Sequence, residues 1–222
     1  MDKTRIPAEQ TPLVAVVVIL VMVVLIPATA INASYSGPSW RGDPNTTFEQ
    51  WSFSDSGTSP SPDAGFNNPY GTLQTWIINN AAWKNNVDSY SGVWQLGTGE
   101  IDIYVPNSAV AQPRKDIWVE LIWKKDVDLT LPFRPQQPML GIYPDGGYTQ
   151  LNTAREDTSL GNDWTSSVFK VSVWPNPPGE WITIGGNIYV DQVVIDTRCV
   201  PEPGTLSLLG LAALFCLKRK RV

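Results

Sequence analysis

The chain has 222 residues, with 16 Lys and Arg against 21 Asp and Glu, ten Trp, two Cys and no His. The lack of His removes His-dependent nucleophilic triads and imidazole metal sites. The acidic balance argues against nucleic acid, whose phosphates need cations, and no Gly-rich phosphate loop with its Lys is present.

Lys3 and Arg5 precede an apolar run over residues 13–26. Fourteen residues make about 21 Å of helix, short of the roughly 30 Å hydrocarbon core of a bilayer. That length fits the apolar region of a secretory signal peptide. Small residues follow at the spacing of a signal-peptidase site, so cleavage is expected after Ala30 or Ala33. The alternative is an uncleaved amino-terminal anchor. Between Ser34 and Cys199 there are 18 acidic against 10 basic residues, a net of −8. Such a domain suits a soluble life outside the cell. Cys199 is the one thiol left there, so no internal disulfide is expected.

The middle of the chain reads as strands. Ile117, Val119, Leu121 and Trp123 alternate with Trp118, Glu120 and Ile122; Phe169, Val171 and Val173 alternate with Lys170 and Ser172; Ile101, Ile103 and Val105 alternate with Glu100, Asp102 and Tyr104. Further strands are predicted at 48–53, 73–78, 93–96, 139–143, 181–184 and 188–195. Residues 52–69, rich in Ser, Gly, Asn and Pro, predict an exposed loop, and 79–87 a short helix. Gly/Pro-rich turns between many short strands predict an all-β fold, an antiparallel β-sandwich of jelly-roll type. An N-terminal signal helix and a C-terminal hydrophobic helix would flank it.

The closing segment Gly186-Asn187-Ile188-Tyr189-Val190-Asp191-Gln192-Val193 resembles the last strand of galactose-binding-like jelly-roll domains. Many such domains bind carbohydrate, and some hold Ca²⁺ through an Asp on this strand. The resemblance implies Asp191 as that ligand and Ca²⁺ as a possible ion; no other cofactor is expected. Trp faces stack on sugar rings, but most Trp in a sandwich pack in its core. Pattern assigns Trp123 to the core. It leaves Trp118 and Trp174 on outward faces and Trp164 beside a turn, as candidate ligand-binding residues.

Gly99-Glu100-Ile101-Asp102-Ile103-Tyr104 resembles the nucleophile strand of laminarinase-type jelly-roll glycoside hydrolases. The resemblance implies Glu100 as nucleophile and Asp102 as its helper. Tyr104 stands where that family has its acid/base Glu, and a phenol with a pKa near 10 is a poor substitute. The expectation is therefore a non-enzymatic protein. A polysaccharide-active enzyme using Glu100 is the first alternative, and a calcium-stabilised adhesion module the second.

The chain closes on Pro201-Glu202-Pro203, an apolar stretch over 206–217, and Lys218-Arg219-Lys220-Arg221. The prolines keep Glu202 extended and accessible. The basic cluster resists leaving the cytoplasmic face. These three parts in this order resemble the PEP-CTERM sorting signal. The resemblance implies an exosortase as processing partner, after signal peptidase and a transient stay in the inner membrane. It implies release or attachment at the cell surface, near exopolysaccharide. The chain thus divides into a signal peptide (1–33), a β-sandwich (34–198) and a sorting signal (199–222).

Overall fold

The computed structural model describes residues 37–66, 68–108, 112–128, 131–146 and 149–200. Among them run the strands β1 (Thr46–Trp51), β2 (Ala64–Phe66), β3 (Gln74–Ile78), β4 (Ala82–Val87), β5 (Tyr90–Gln95), β6 (Glu100–Pro106), β7 (Arg114–Lys125), β8 (Met139–Pro144), β9 (Thr149–Gly161), β10 (Trp164–Trp174), β11 (Gly179–Gly185) and β12 (Ile188–Val200). One sheet has the order β2-β1-β12-β7-β10-β9, with the β4–β5 hairpin joined to the start of β12. The other has the order β3-β6-β11-β8. All pairings are antiparallel.

The three alternating segments read from the sequence become β6, β7 and β10, and their apolar phase is the core. Ile117, Val119, Leu121 and Trp123 of β7, with Phe169, Val171 and Val173 of β10, form one side. Ile101, Ile103 and Val105 of β6, with Ile182 and Ile184 of β11, form the other. Each such side chain contributes roughly 1.5–3 kcal/mol when fully buried. A second, smaller cluster of Val93, Ile122 and Trp164 lies apart, packed by Val87, Tyr90, Leu160 and Tyr189.

Three local expectations are corrected. Residues 79–87 hold no helix. Asn79 and Asn80 sit at φ 57° and 64°, a left-handed pair that turns the chain from β3 into β4. The loop over 52–69 contains β2, which pairs with β1. Strand β9 was not legible at all. It pairs only with β10, and its mostly exposed residues carry no apolar alternation. Its one signal is the turn at Asn162 and Asp163, both left-handed at φ 51° and 65°. The expected signal helix and sorting helix lie outside the described residues. Among the described residues no helix is long and apolar enough to cross a membrane.

An ionic tie joins the sheets. Lys115 of β7 points inward and donates to Glu180 of β11 at 2.6 Å, with side chains 1% and 0% exposed. Asn107 Nδ2 donates to the other Glu180 oxygen at 2.5 Å, and Lys115 also donates to Asn107 Oδ1. Burial pushes the Glu180 carboxyl upward, and Lys115 opposes that push. Removing one partner of a buried pair strands the other charge, whereas replacing both with apolar groups is often tolerated. Glu180→Gln should therefore cost about 3–5 kcal/mol in urea unfolding, while Lys115→Met/Glu180→Leu recovers most of the loss.

Candidate functional site

The alternation that buries one face of the four-stranded sheet turns the other outward. Register places Gln74, Tyr104, Trp181 and Tyr143 in one row across β3, β6, β11 and β8. The next row holds Trp76, Asp102, Thr183 and Gly141, and Glu100, Gly185 and Met139 stand in the third. Trp181 touches both Trp76 and Tyr104, with ring centroids 5.2 Å apart in each pair. Trp181 is 36% exposed and Tyr143 60%. A cleft of about 360 Å³ opens beside them, lined by Glu100, Arg134, Met139, Tyr143 and Thr183 among others.

Glycines supply the floor under three of these side chains. A Cβ on Gly141 would lie 2.6 Å from the Tyr143 ring. One on Gly179 would meet the Tyr104 hydroxyl at 2.2 Å, and one on Gly185 would meet Arg134 at 2.8 Å. Tyr143, Tyr104 and Arg134 therefore lie down against bare backbone instead of standing off the sheet; Tyr143 does so along its own strand, and Tyr104 reaches from β6 over Gly179 of β11. The Tyr104 hydroxyl donates to Asp145 at 3.2 Å. Arg134 ion-pairs with Glu100 at 3.0 Å and donates to the Thr98 carbonyl. The Asp102 Oδ1 is buried without a donor among the described residues.

The sequence-predicted residues divide between two surfaces. Glu100 and Asp102 share this face with Tyr104, as alternate residues of one strand must. Trp118 and Trp164 belong to the other sheet. Trp164 is fully buried and donates its indole N–H to Asp88 at 3.0 Å. It is withdrawn as a ligand-binding residue, because the β4–β5 hairpin covers it through Tyr90, 4.1 Å away. Trp118 is half-buried against Trp40, with the Lys170 amine 4.5 Å from its ring. Trp174, at the end of β10, is 46% exposed. Asp191 sits at a β-bulge, where the β12–β7 register shifts between Val190 and Gln192. Among the described residues no three acidic or thiol groups come together as a metal site. Cys199 is a buried free thiol. Ala30, Ala33, Pro201, Glu202 and Pro203 lie outside the described residues.

Sequence reasoning missed Trp76, Trp181 and Tyr143. The signal was there: once Ile182 and Ile184 point inward, Trp181 and Thr183 must point out. What alternation could not supply was the neighbour order that gathers the three strands' rings. It also missed a strap ahead of β1. Arg41 grips Asp196 with two hydrogen bonds of 2.6 Å, and Trp40 packs on Trp118 with Arg198 above it.

An antiparallel β-sandwich whose last strand runs directly into a Pro-Glu-Pro segment is the class these features define. Residues 200–221 match the family described as the PEP-CTERM protein-sorting motif. The motif marks an exported protein that is held transiently in a membrane and processed by an exosortase. No curated protein and no solved structure matches the chain. The match begins at Val200, which still pairs with Arg114; β12 thus continues two residues past the boundary drawn from the sequence, because β7 accompanies it.

Three carboxyls give the fold a pH signature. Glu49, Glu120 and Asp191 are each raised to about 7, in every case chiefly by burial. The Leu73 backbone partly offsets this at Glu49, and the Ser166 hydroxyl and Arg41 at Glu120. Unfolded Asp and Glu titrate near 4. Between those values the folded protein holds protons that the unfolded chain has released, so stability is lost as pH rises through about 7. Unfolding free energy should fall from about pH 4 to pH 7 and level off above it, by at most about 1.4 kcal/mol per pH unit for each group, less where water screens it. Glu120→Gln should flatten the slope; a profile that rises over this range counts against the assignment.

Proposed function

We propose that the mature protein is a non-catalytic component of the cell surface or extracellular matrix, structural or glycan-associating, delivered there by an exosortase. The sorting motif directly after β12 carries this reading. Signal peptidase and the exosortase are its processing partners, and exopolysaccharide is its neighbour. The non-catalytic part is supported by the strand where a hydrolase would keep its carboxylates. Tyr104 occupies the acid/base position; burial, and then its hydrogen bond to Asp145, raise its phenol further. Glu100 is held by Arg134.

The intact mass of the native protein tests the delivery. Loss of both ends is expected, with the new amino terminus after Ala30 or Ala33 and the carboxy terminus near Pro201-Glu202-Pro203. Cells lacking the exosortase should keep the uncut tail in the inner membrane. Recovery of the whole 222-residue chain from the cytosol would overturn the reading. Incubation with β-glucans should release no reducing ends, whereas release that Glu100→Gln abolishes would put the hydrolase alternative in its place.

A further inference from the structure

We infer that the outward face of the four-stranded sheet binds a neutral polysaccharide chain, through the rings of Trp76, Trp181 and Tyr143 and the carboxylate of Asp102. The inference rests on the surface-delivery reading above and gives it a site and a ligand class.

A domain with a complete core has no structural need for large rings outside it. Here Trp181 and Tyr143 stay open to solvent while the core beneath them, Ile103, Ile182 and Ile184, is fully buried. A sizeable apolar patch rimmed by polar groups marks a binding surface. The rings are also held in place. Trp181 rests between Trp76 and Tyr104, and Tyr143 is folded onto Gly141. Little side-chain freedom remains to be lost on binding, which is how preorganisation raises affinity.

The polar groups select the occupant. Asp102 and Thr183 stand next to the rings in one cross-strand row, and among the described residues the Asp102 Oδ1 has no hydrogen-bond partner. An unmet acceptor in a half-buried setting favours a ligand rich in donors. A pyranose offers both halves of this complement: C–H groups for the ring faces and hydroxyls for the carboxylate. Glu100 and Asp102 on this face, within a domain of net charge −8, disfavour uronates, sulfated glycans and nucleic acid. The cleft beside the rings, with Tyr143 and Thr183 in its lining, adjoins them on the same face.

The processed protein, purified from the envelope of cells that export it, is run in affinity gels. The gels contain hydroxyethylcellulose, galactomannan or alginate. Retardation by at least one neutral polymer and none by alginate is expected. Trp181→Ala and Asp102→Asn should each weaken it about tenfold with unchanged melting temperature, the loss of one ring contact or one charge-assisted hydrogen bond. Gly141→Ala, which must displace Tyr143, should weaken it as well. No retardation by either neutral polymer overturns the proposal. So does equal retardation by alginate, or a loss caused by Trp174→Ala in place of Trp181→Ala. Sedimentation that reveals a dimer dissolved by Trp181→Ala would assign the face to a second copy and overturn it too. A processed, surface-located protein that fails in the gels removes the glycan site and leaves the delivery reading standing. An unprocessed protein that is retarded does the reverse.

Discussion

Side chains along a strand alternate, so once Ile101, Ile103 and Val105 fill the space between the sheets, Glu100, Asp102 and Tyr104 have only the outward face left. The same rule acts on β11, where Ile182 and Ile184 go in and Trp181 and Thr183 go out. Every chemically interesting feature of the four-stranded sheet follows from this one phase. A slip of one residue in β6 would bury two carboxylates, one in β11 would bury Trp181 and Thr183, and either would expose the core, which is why burial fixes the register so firmly. Glycines at Gly141, Gly179 and Gly185 then let neighbouring side chains settle over bare backbone.

The two sheets manage their outer faces differently. The larger one is covered in part by its own chain: Trp40 and Arg41 lie across β12 and β7, and Asp196 beneath Arg41 is fully buried. Its outward aromatic, Trp118, meets protein on that face. Among the described residues no such strap crosses the rings of the smaller sheet, and Trp181, Tyr143 and Met139 keep a third or more of their area. Hence two surfaces with similar residue types differ in what they can do. One packs the segment ahead of β1, and the other is open.

Lys115, Glu180 and Asn107 close a network between sheets, at a position where an apolar core would serve stability equally well. Glu49, Glu120 and Asp191 meet burial with less compensation, so their carboxyls titrate near neutrality.

Sequence alone determined the export route and the architecture. A Pro-Glu-Pro segment, a short apolar stretch and a basic end act in order along the chain and need no folding to be read; strict alternation at 101–105, 117–123 and 169–173 declares strands and their buried phase. It failed at β9, an edge strand whose exposed residues need no apolar period, and at β4, where the predicted helix is the first strand of a hairpin with β5, entered through the left-handed Asn79 and Asn80. It also could not sort the outward tryptophans by their surroundings. Outward Trp118 and Trp76 look alike along the chain, and only tertiary structure decides that one lies under Trp40 while the other stands beside Trp181. The reason is that a strand's phase is local, whereas its neighbours, and whatever covers them, come from distant parts of the chain: Trp40 is 78 positions from Trp118 and Trp181 is 105 from Trp76.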